Sequence, residues 1–231
     1  MSTPSQPPPV PAVVSEIADG RSVTAVWVNE LGGVTFAVGG PPPVEFVKTH
    51  PDPNARLLDD EAKRLRWARR YATVPEVLAT GPGWLHTAAL AGRSAVDAAW
   101  TARPRDAARA IGAGLRALHD ALPVTDCPFG PPSWIGCAPP QPDRLVVCHG
   151  DACAPNTLMA DDGSFAGHVD LGDLGVADRW ADLAIATMSL DWNYAGGDWQ
   201  DLLLDTYGVR PDVERIAFYR RRWDDEPSAP G

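Results

Sequence analysis

The 231-residue chain is 45% hydrophobic, enough to bury a substantial core as one large domain or two small lobes. Its formal net charge of −10 argues against a nucleic-acid partner, which needs clustered Lys and Arg, and suits a cationic ligand. No run of about 18 apolar residues occurs, and the N-terminus has neither the basic nor the apolar stretch of a signal peptide, so a cytoplasmic protein with no membrane partner is expected.

The first twelve residues, MSTPSQPPPVPA, are proline-rich and almost uncharged, which predicts a disordered or polyproline tail, drawn here over residues 1–20. Residues 22–28 and 34–38 are β-rich runs joined by Asn29-Glu30-Leu31-Gly32-Gly33, a hairpin signal with a glycine turn. In residues 44–48, Val44, Phe46 and Lys48 alternate with Glu45 and Val47 in the period-two pattern of a strand that ends on a lysine. Beyond a proline-containing loop, Asp59-Asp60-Glu61 opens a helix through Arg70, with Leu58, Ala62, Leu65 and Ala68 at helical spacing. Residues 74–79 and 84–90 predict two more strands around Gly81-Pro82-Gly83. Residues 104–121 predict a long helix whose core face is Ala108, Ile111, Leu115, Leu118 and Leu122, with His119 as a packing or capping residue.

The chemistry concentrates between Val146 and Asp182, in VVCHGDACAPNTLMADDGSFAGHVDLGDLGVADRWAD. There His149-Gly150-Asp151 is followed after four residues by Asn156 and, across a short turn, by Asp170-Leu171-Gly172. This order and spacing is the phosphoryl-transfer logic of kinases, in which one Asp orients a hydroxyl while an Asn and a second Asp hold magnesium. A hydroxyl is a poor nucleophile, so Asp151 is the candidate to accept its proton and align its oxygen. Asn156 offers a neutral carbonyl oxygen and Asp170 a charged one, both hard ligands suited to Mg²⁺. In that company, Lys48 and Glu61 read as the pair that grips nucleotide phosphates, although each alone would be a solvated surface charge. Gly32 and Gly33 lie in a turn of the kind whose amides approach those phosphates, yet two glycines equally make a plain hairpin. The four cysteines, Cys127, Cys137, Cys148 and Cys153, contain no CxxC and read as reduced thiols. Cys148, Cys153 and His168 flank the motif, but their spacing matches no usual zinc pattern.

The strings LRWAR (65–69), IGAGLRALHDALPV (111–124), CPF (127–129), LVVCHGDACAPNTLMADDG (145–163), GHVDLGDLGVADRWADLAIAT (167–187), and YGV and RIAFYR near the end resemble the aminoglycoside phosphotransferase family. The resemblance is closest to its streptomycin 3″-phosphotransferases, then to the 3′-phosphotransferases of kanamycin and neomycin, and it covers most of residues 22–223. It implies an α+β, bilobal protein-kinase-like fold, with a small β-rich N-lobe over residues 21–90 and a mainly helical C-lobe over 91–231. It implies ATP and Mg²⁺ as cofactors, Lys48 as the phosphate lysine with Glu61 as its partner, Asp151 as the catalytic aspartate, and Asn156 and Asp170 as metal ligands. It also places Arg179, in GVADRWAD, near the substrate pocket. The activity implied is phosphorylation of an aminoglycoside, first the 3″ hydroxyl of streptomycin, conferring antibiotic resistance. The alternative is a 3′-type or other small-molecule kinase, and in either case a monomer is expected.

Two features depart from the family pattern. Between CPF and the strand before HGD the family carries some forty or more residues, part of an acidic wall for the antibiotic's ammonium groups; here only the proline-rich residues 130–144 fill the interval. The C-terminus, which closes the same pocket, reads RRRWDDEPSAPG. The cation-binding groups that remain are Asp173, Asp178, Asp224, Asp225 and Glu226, with Trp180, Trp192 and Trp223 as aromatic faces. These departures open a reading of another class, a nucleotide-binding remnant that lacks the substrate segment and turns nothing over.

Overall fold

The computed structural model describes residues 8–29, 31–51, 54, 56–136 and 141–225. They fall into two compact units, one drawn from Met1–Trp67 and Pro75–Leu90, the other from Ala68–Val74 and Ala91–Pro227.

The first unit is built on a five-stranded antiparallel sheet. Its strands are β1 (Val23–Val28), β2 (Val34–Val38), β3 (Glu45–Thr49), β4 (Val77–Gly81) and β5 (Trp84–Ala88), in the order β1-β2-β3-β5-β4. The predicted hairpin forms with Val28 opposite Val34. One helix, α1 (Ala12–Ala18), corrects the expectation of a disordered stretch through residue 20; the earlier residues 1–7 lie outside the described set. Val14 and Ala18 of α1 are buried with Phe36, Val38 and Val47 of the sheet, so tertiary packing stabilises a helix too short to persist alone. Arg21 closes it by donating to the carbonyls of Ile17 and Ala18. The second helix, α2 (Arg56–Ala68), buries Leu58, Ala62, Leu65 and Ala68, the stripe its spacing predicts. Strand β4 begins at Val77 rather than at residue 74. Residues 68–74 belong to the other unit, where the Thr73 carbonyl accepts the His168 amide.

The second unit is mainly helical: α3 (Ala98–Thr101), α4 (Pro104–Ala121), α5 (Trp180–Asn193), α6 (Gln200–Tyr207) and α7 (Val213–Asp224). Helix α4 has the predicted bounds and buries Ala108, Ile111, Leu115 and Leu118, with Leu122 buried just beyond its end. Every residue of α5 from Trp180 to Leu190 is buried, as befits a helix apolar on nearly all sides at the centre of a core. Short strands carry the motif residues. β6 (Arg93–Ser94), β8 (Thr157–Met159) and β9 (Phe165–His168) form one sheet, and β7 (Leu145–Cys148) pairs antiparallel with β10 (Gly175–Asp178) in another. Among the described residues, no helix is long and apolar enough to cross a membrane.

Candidate active site

In the first unit, Lys48 Nζ donates to Glu61 Oε1 at 2.7 Å, with the lysine side chain 23% exposed and the glutamate 6%. Glu61 stands on the buried stripe of α2, three residues after Leu58 and next to Ala62. A carboxylate on an apolar stripe is costly without a counter-charge, so the helix sets the direction of Glu61 and Lys48 neutralises it. The glycine turn is satisfied internally. Asn29 Oδ1 accepts the amides of Leu31 (3.1 Å) and Gly33 (2.7 Å), and the Asn29 carbonyl accepts that of Gly32 (3.2 Å). Gly32 has φ +78°, and a Cβ on Gly33 would meet Asn29 at 2.7 Å and His50 at 2.8 Å. Hairpin geometry therefore accounts for both glycines; to offer these amides to phosphate, Asn29 would have to release them.

In the second unit, β7 ends at Cys148 and delivers His149, Gly150 and Asp151. Gly150 has φ +89°, and a Cβ there would lie 2.1 Å from the Asp173 carbonyl oxygen, so only glycine fits. The loop is held by Asp182, a fully buried carboxylate on the first turn of α5. Asp182 Oδ2 accepts the His149 amide at 2.6 Å and Oδ1 accepts the Gly150 amide at 3.0 Å. His119 Nε2 lies 2.9 Å from Asp182 Oδ2, and His119 Nδ1 lies 2.8 Å from the Tyr207 hydroxyl. Burial pushes the Asp182 carboxyl up, but the hydrogen bonds and charges of His119 and His149 together hold it below the usual range. His149 ties the motif's two halves together: Nδ1 accepts the Asp151 amide (3.3 Å) and Nε2 donates to the Val169 carbonyl (3.0 Å).

Asn156 joins through its own bonds. Its Nδ2 donates to the Asp151 carbonyl at 3.0 Å, which engages the nitrogen and leaves the oxygen as the ligand atom. The Asn156 carbonyl accepts the Val169 amide at 3.0 Å, beside Asp170. Asp170 itself has φ +62°, a left-handed conformation that aspartate tolerates better than most residues. Burial and then the negative charge of Asp170 hold the Asp151 carboxyl above its ordinary range, and Asp151 Oδ1 is buried with no hydrogen-bond partner. The Asp170 carboxylate and the free amide oxygen of Asn156 are donors that fit a hard divalent cation, and the orphaned Oδ1 of Asp151 beside them is left to accept a proton.

Other sequence candidates are placed elsewhere. Arg179 follows β10 at Asp178, which pairs with Leu145, whereas the HGD loop follows Cys148 at the opposite end of the same ribbon. Three residue steps, about 10 Å, separate those ends. Arg179 Nε donates to Asp143 Oδ2 at 2.7 Å, an ion pair at the end of the ribbon opposite the HGD loop. Asp178 is buried against Arg215 (2.7 Å), and Trp180 is buried with its Nε1 on Asp143 (3.0 Å), so neither presents a face to a ligand. Asp224 and Asp225 are exposed at the end of α7, and Glu226 lies outside the described residues. Of the zinc candidates, Cys148 instead clusters with His119 and Asp182; its thiol is pushed well up by burial and donates to the Asp178 carbonyl.

Asp182 and Trp134 are the residues that sequence reading passed over. Trp134 Nε1 donates to the Gly150 carbonyl at 2.6 Å. A signal for Asp182 existed: an acid within an otherwise apolar or small run must be buried, and a buried acid must have partners. Trp134 offered none, since its bond crosses a proline-rich interval with no periodicity.

Residues 133–219 match the profile of a phosphotransferase enzyme family. The chain is 32% identical over 249 aligned residues to an aminoglycoside 3′-phosphotransferase of Streptomyces fradiae, covering 85% of this chain and 92% of that one. It is 29% identical to a streptomycin 3″-kinase of Streptomyces griseus, covering 87% and 90%. The 249 aligned residues exceed the 231 of this chain, so the S. fradiae protein carries residues absent here. Among solved structures, an aminoglycoside-3′-phosphotransferase of type VIII superposes with a TM-score of 0.75 at 26% identity, over 89% of this chain and 93% of that one. The aminoglycoside phosphotransferase APH(3″)-Id of Streptomyces rimosus, solved with ADP and streptomycin, gives 0.69 at 25% identity over 95% and 98%. With that identity sustained over most of both chains, and with a kinase-like α+β fold, the protein belongs to the aminoglycoside phosphotransferase family and is a phosphoryl-transfer enzyme.

Proposed function

We propose that the enzyme transfers the γ-phosphoryl group of ATP to a hydroxyl of an aminoglycoside, with the 3″ hydroxyl of streptomycin as the first candidate acceptor. The observation that carries this reading is the orphaned, buried Oδ1 of Asp151 in a loop anchored by Asp182, beside Asn156 and Asp170. Asp151 accepts the acceptor's proton and holds its oxygen in line; the new O–P bond forms as the bond from γ-phosphorus to the bridging oxygen breaks, and ADP leaves. Asn156 and Asp170 would hold Mg²⁺, which supplies charge neutralisation at the phosphate oxygens. Lys48, oriented by Glu61, binds the α and β phosphates. Positioning and electrostatics account for the chemistry, and no covalent enzyme intermediate is needed.

If Lys48 and Glu61 act as one grip, Lys48→Ala raises the KM for ATP or depresses turnover, and Glu61→Ala does so less severely. The double variant then loses less than the sum of the singles, with a coupling of about 0.5–3 kcal/mol. Strict additivity in ATP-dependent kinetics would separate the two residues.

The 32% identity to a 3′-type enzyme favours a second reading, a 3′ hydroxyl as acceptor. A coupled ADP-release assay over streptomycin, kanamycin and neomycin decides, with the product's phosphate position read by NMR. Streptomycin turnover with a raised KM is expected, because each charge-assisted contact missing with the shortened segment costs roughly 1.5–3 kcal/mol, or about ten- to 150-fold. Nucleotide binding without drug-dependent ADP release would instead identify an inactive remnant.

A further inference from the structure

Trp134 lies in a one-turn 3-10 segment, Ser133–Ile135, within the short link toward β7, and it is only 6% exposed. Its bond to the Gly150 carbonyl is short and buried. That carbonyl shares a peptide plane with the Asp151 amide, which donates to His149 Nδ1. The rigid plane leading into Asp151 is therefore held at its oxygen by Trp134 and at its nitrogen by His149. Gly150 has no Cβ and a left-handed φ, so its own torsions resist rotation weakly. Asp182 secures the amides on the other side of Gly150, leaving the plane next to Asp151 to these two partners.

Trp134 is itself fixed on several sides. Tyr219 and Trp223 of α7 meet its ring edge to face, with centroids at 6.3 and 5.2 Å and interplanar angles of 85° and 79°. The amide and hydroxyl of Ser133 donate to Asp173 Oδ2 at 2.9 and 3.2 Å. Gly130 packs its carbonyl so closely on Gly175 that a Cβ there would lie 1.9 Å from the oxygen. The link thus grips both the loop before Asp151 and the segment after Asp170.

We propose that Trp134 is a positioning residue for phosphoryl transfer: its indole N–H fixes the Gly150–Asp151 peptide plane and so aims Asp151 at the acceptor hydroxyl. This rests on the reading of Asp151 as the proton-accepting group. Residues 130–136 are then a brace for the loop.

Trp134→Phe keeps an aromatic ring against Tyr219 and Trp223 but deletes the N–H. Turnover of the folded variant is expected to fall roughly ten- to a hundredfold, as for a misaligned reacting group, with the KM for ATP held within about twofold. Amide exchange in residues 149–153 should rise in the same variant. A role in packing alone would lower the melting temperature while leaving turnover per folded molecule and loop exchange unchanged, and that result overturns the proposal. In the wild-type protein, isotope-labelled tryptophan NMR should find the Trp134 indole N–H protected from exchange; a rapidly exchanging N–H overturns the proposal even where the variant does not fold. If the wild type releases no ADP with any aminoglycoside, the reaction reading fails, while exchange and the indole signal still decide whether Trp134 holds the loop.

Discussion

Asp151→Ala is expected to lower turnover by about 10²- to 10⁴-fold, the usual loss when a proton-accepting, orienting group is removed, while ATP affinity stays near that of the wild type. The asymmetry follows from the loop's construction. The Asp151 side chain has an oxygen with no partner, whereas its backbone carbonyl accepts from Asn156 and its amide donates to His149. Alanine removes the former and keeps both backbone bonds. Asp170→Ala is expected to weaken magnesium-dependent nucleotide binding as well, because it takes away the charged ligand. Steady-state kinetics paired with nucleotide titration, with and without Mg²⁺, separate the two variants. Near wild-type turnover in Asp151→Ala would falsify the assignment of the base.

Asp182→Ala should be strongly destabilising. It strips the buried amides of His149 and Gly150 of their acceptor and His119 of its partner, all where water does not reach. Breaking such a buried set costs about 3–5 kcal/mol, which for a chain of this size lowers Tm by roughly 6–20 °C. Asp182→Asn should lose less, since its amide oxygen still accepts one of the bonds. The pH dependence has a definite sign. The folded-state carboxyl is held below its ordinary value, so its stabilisation is present above that value and is lost as the pH falls through the lower, folded one. Thermal unfolding from neutral to acidic pH should accordingly show a shallower acid limb in Asp182→Asn than in the wild type. A Tm within about 2 °C of wild type for Asp182→Ala, about the effect of a single kcal/mol, would show that another group anchors the loop.

The sequence by itself determined the parts whose signals are local. Period-two and period-3.6 patterns place the β1–β2 hairpin, β3 and α4, because each element buries one face and the pattern records which face. The run H-G-D-x-x-x-x-N followed by D-x-G singled out Asp151, Asn156 and Asp170, which the folded loop brings together, because the proposed chemistry calls for those residue types at that spacing. Glu61 was legible beside Lys48 only in company with that motif. Local pattern missed α1, whose proline-rich neighbours masked four apolar positions that become a helix face when the sheet is there to receive them. Tertiary structure alone decided the anchors. Asp182 reaches back 33 residues to the His149 amide, and Trp134 reaches 16 residues forward to the Gly150 carbonyl. It also set Arg179 against Asp143, at the end of the β7–β10 ribbon opposite the HGD loop. Such bonds join side chains to backbone groups across long loops, and a backbone group has the same chemistry at every residue, so the sequence carries no mark of which one will be used.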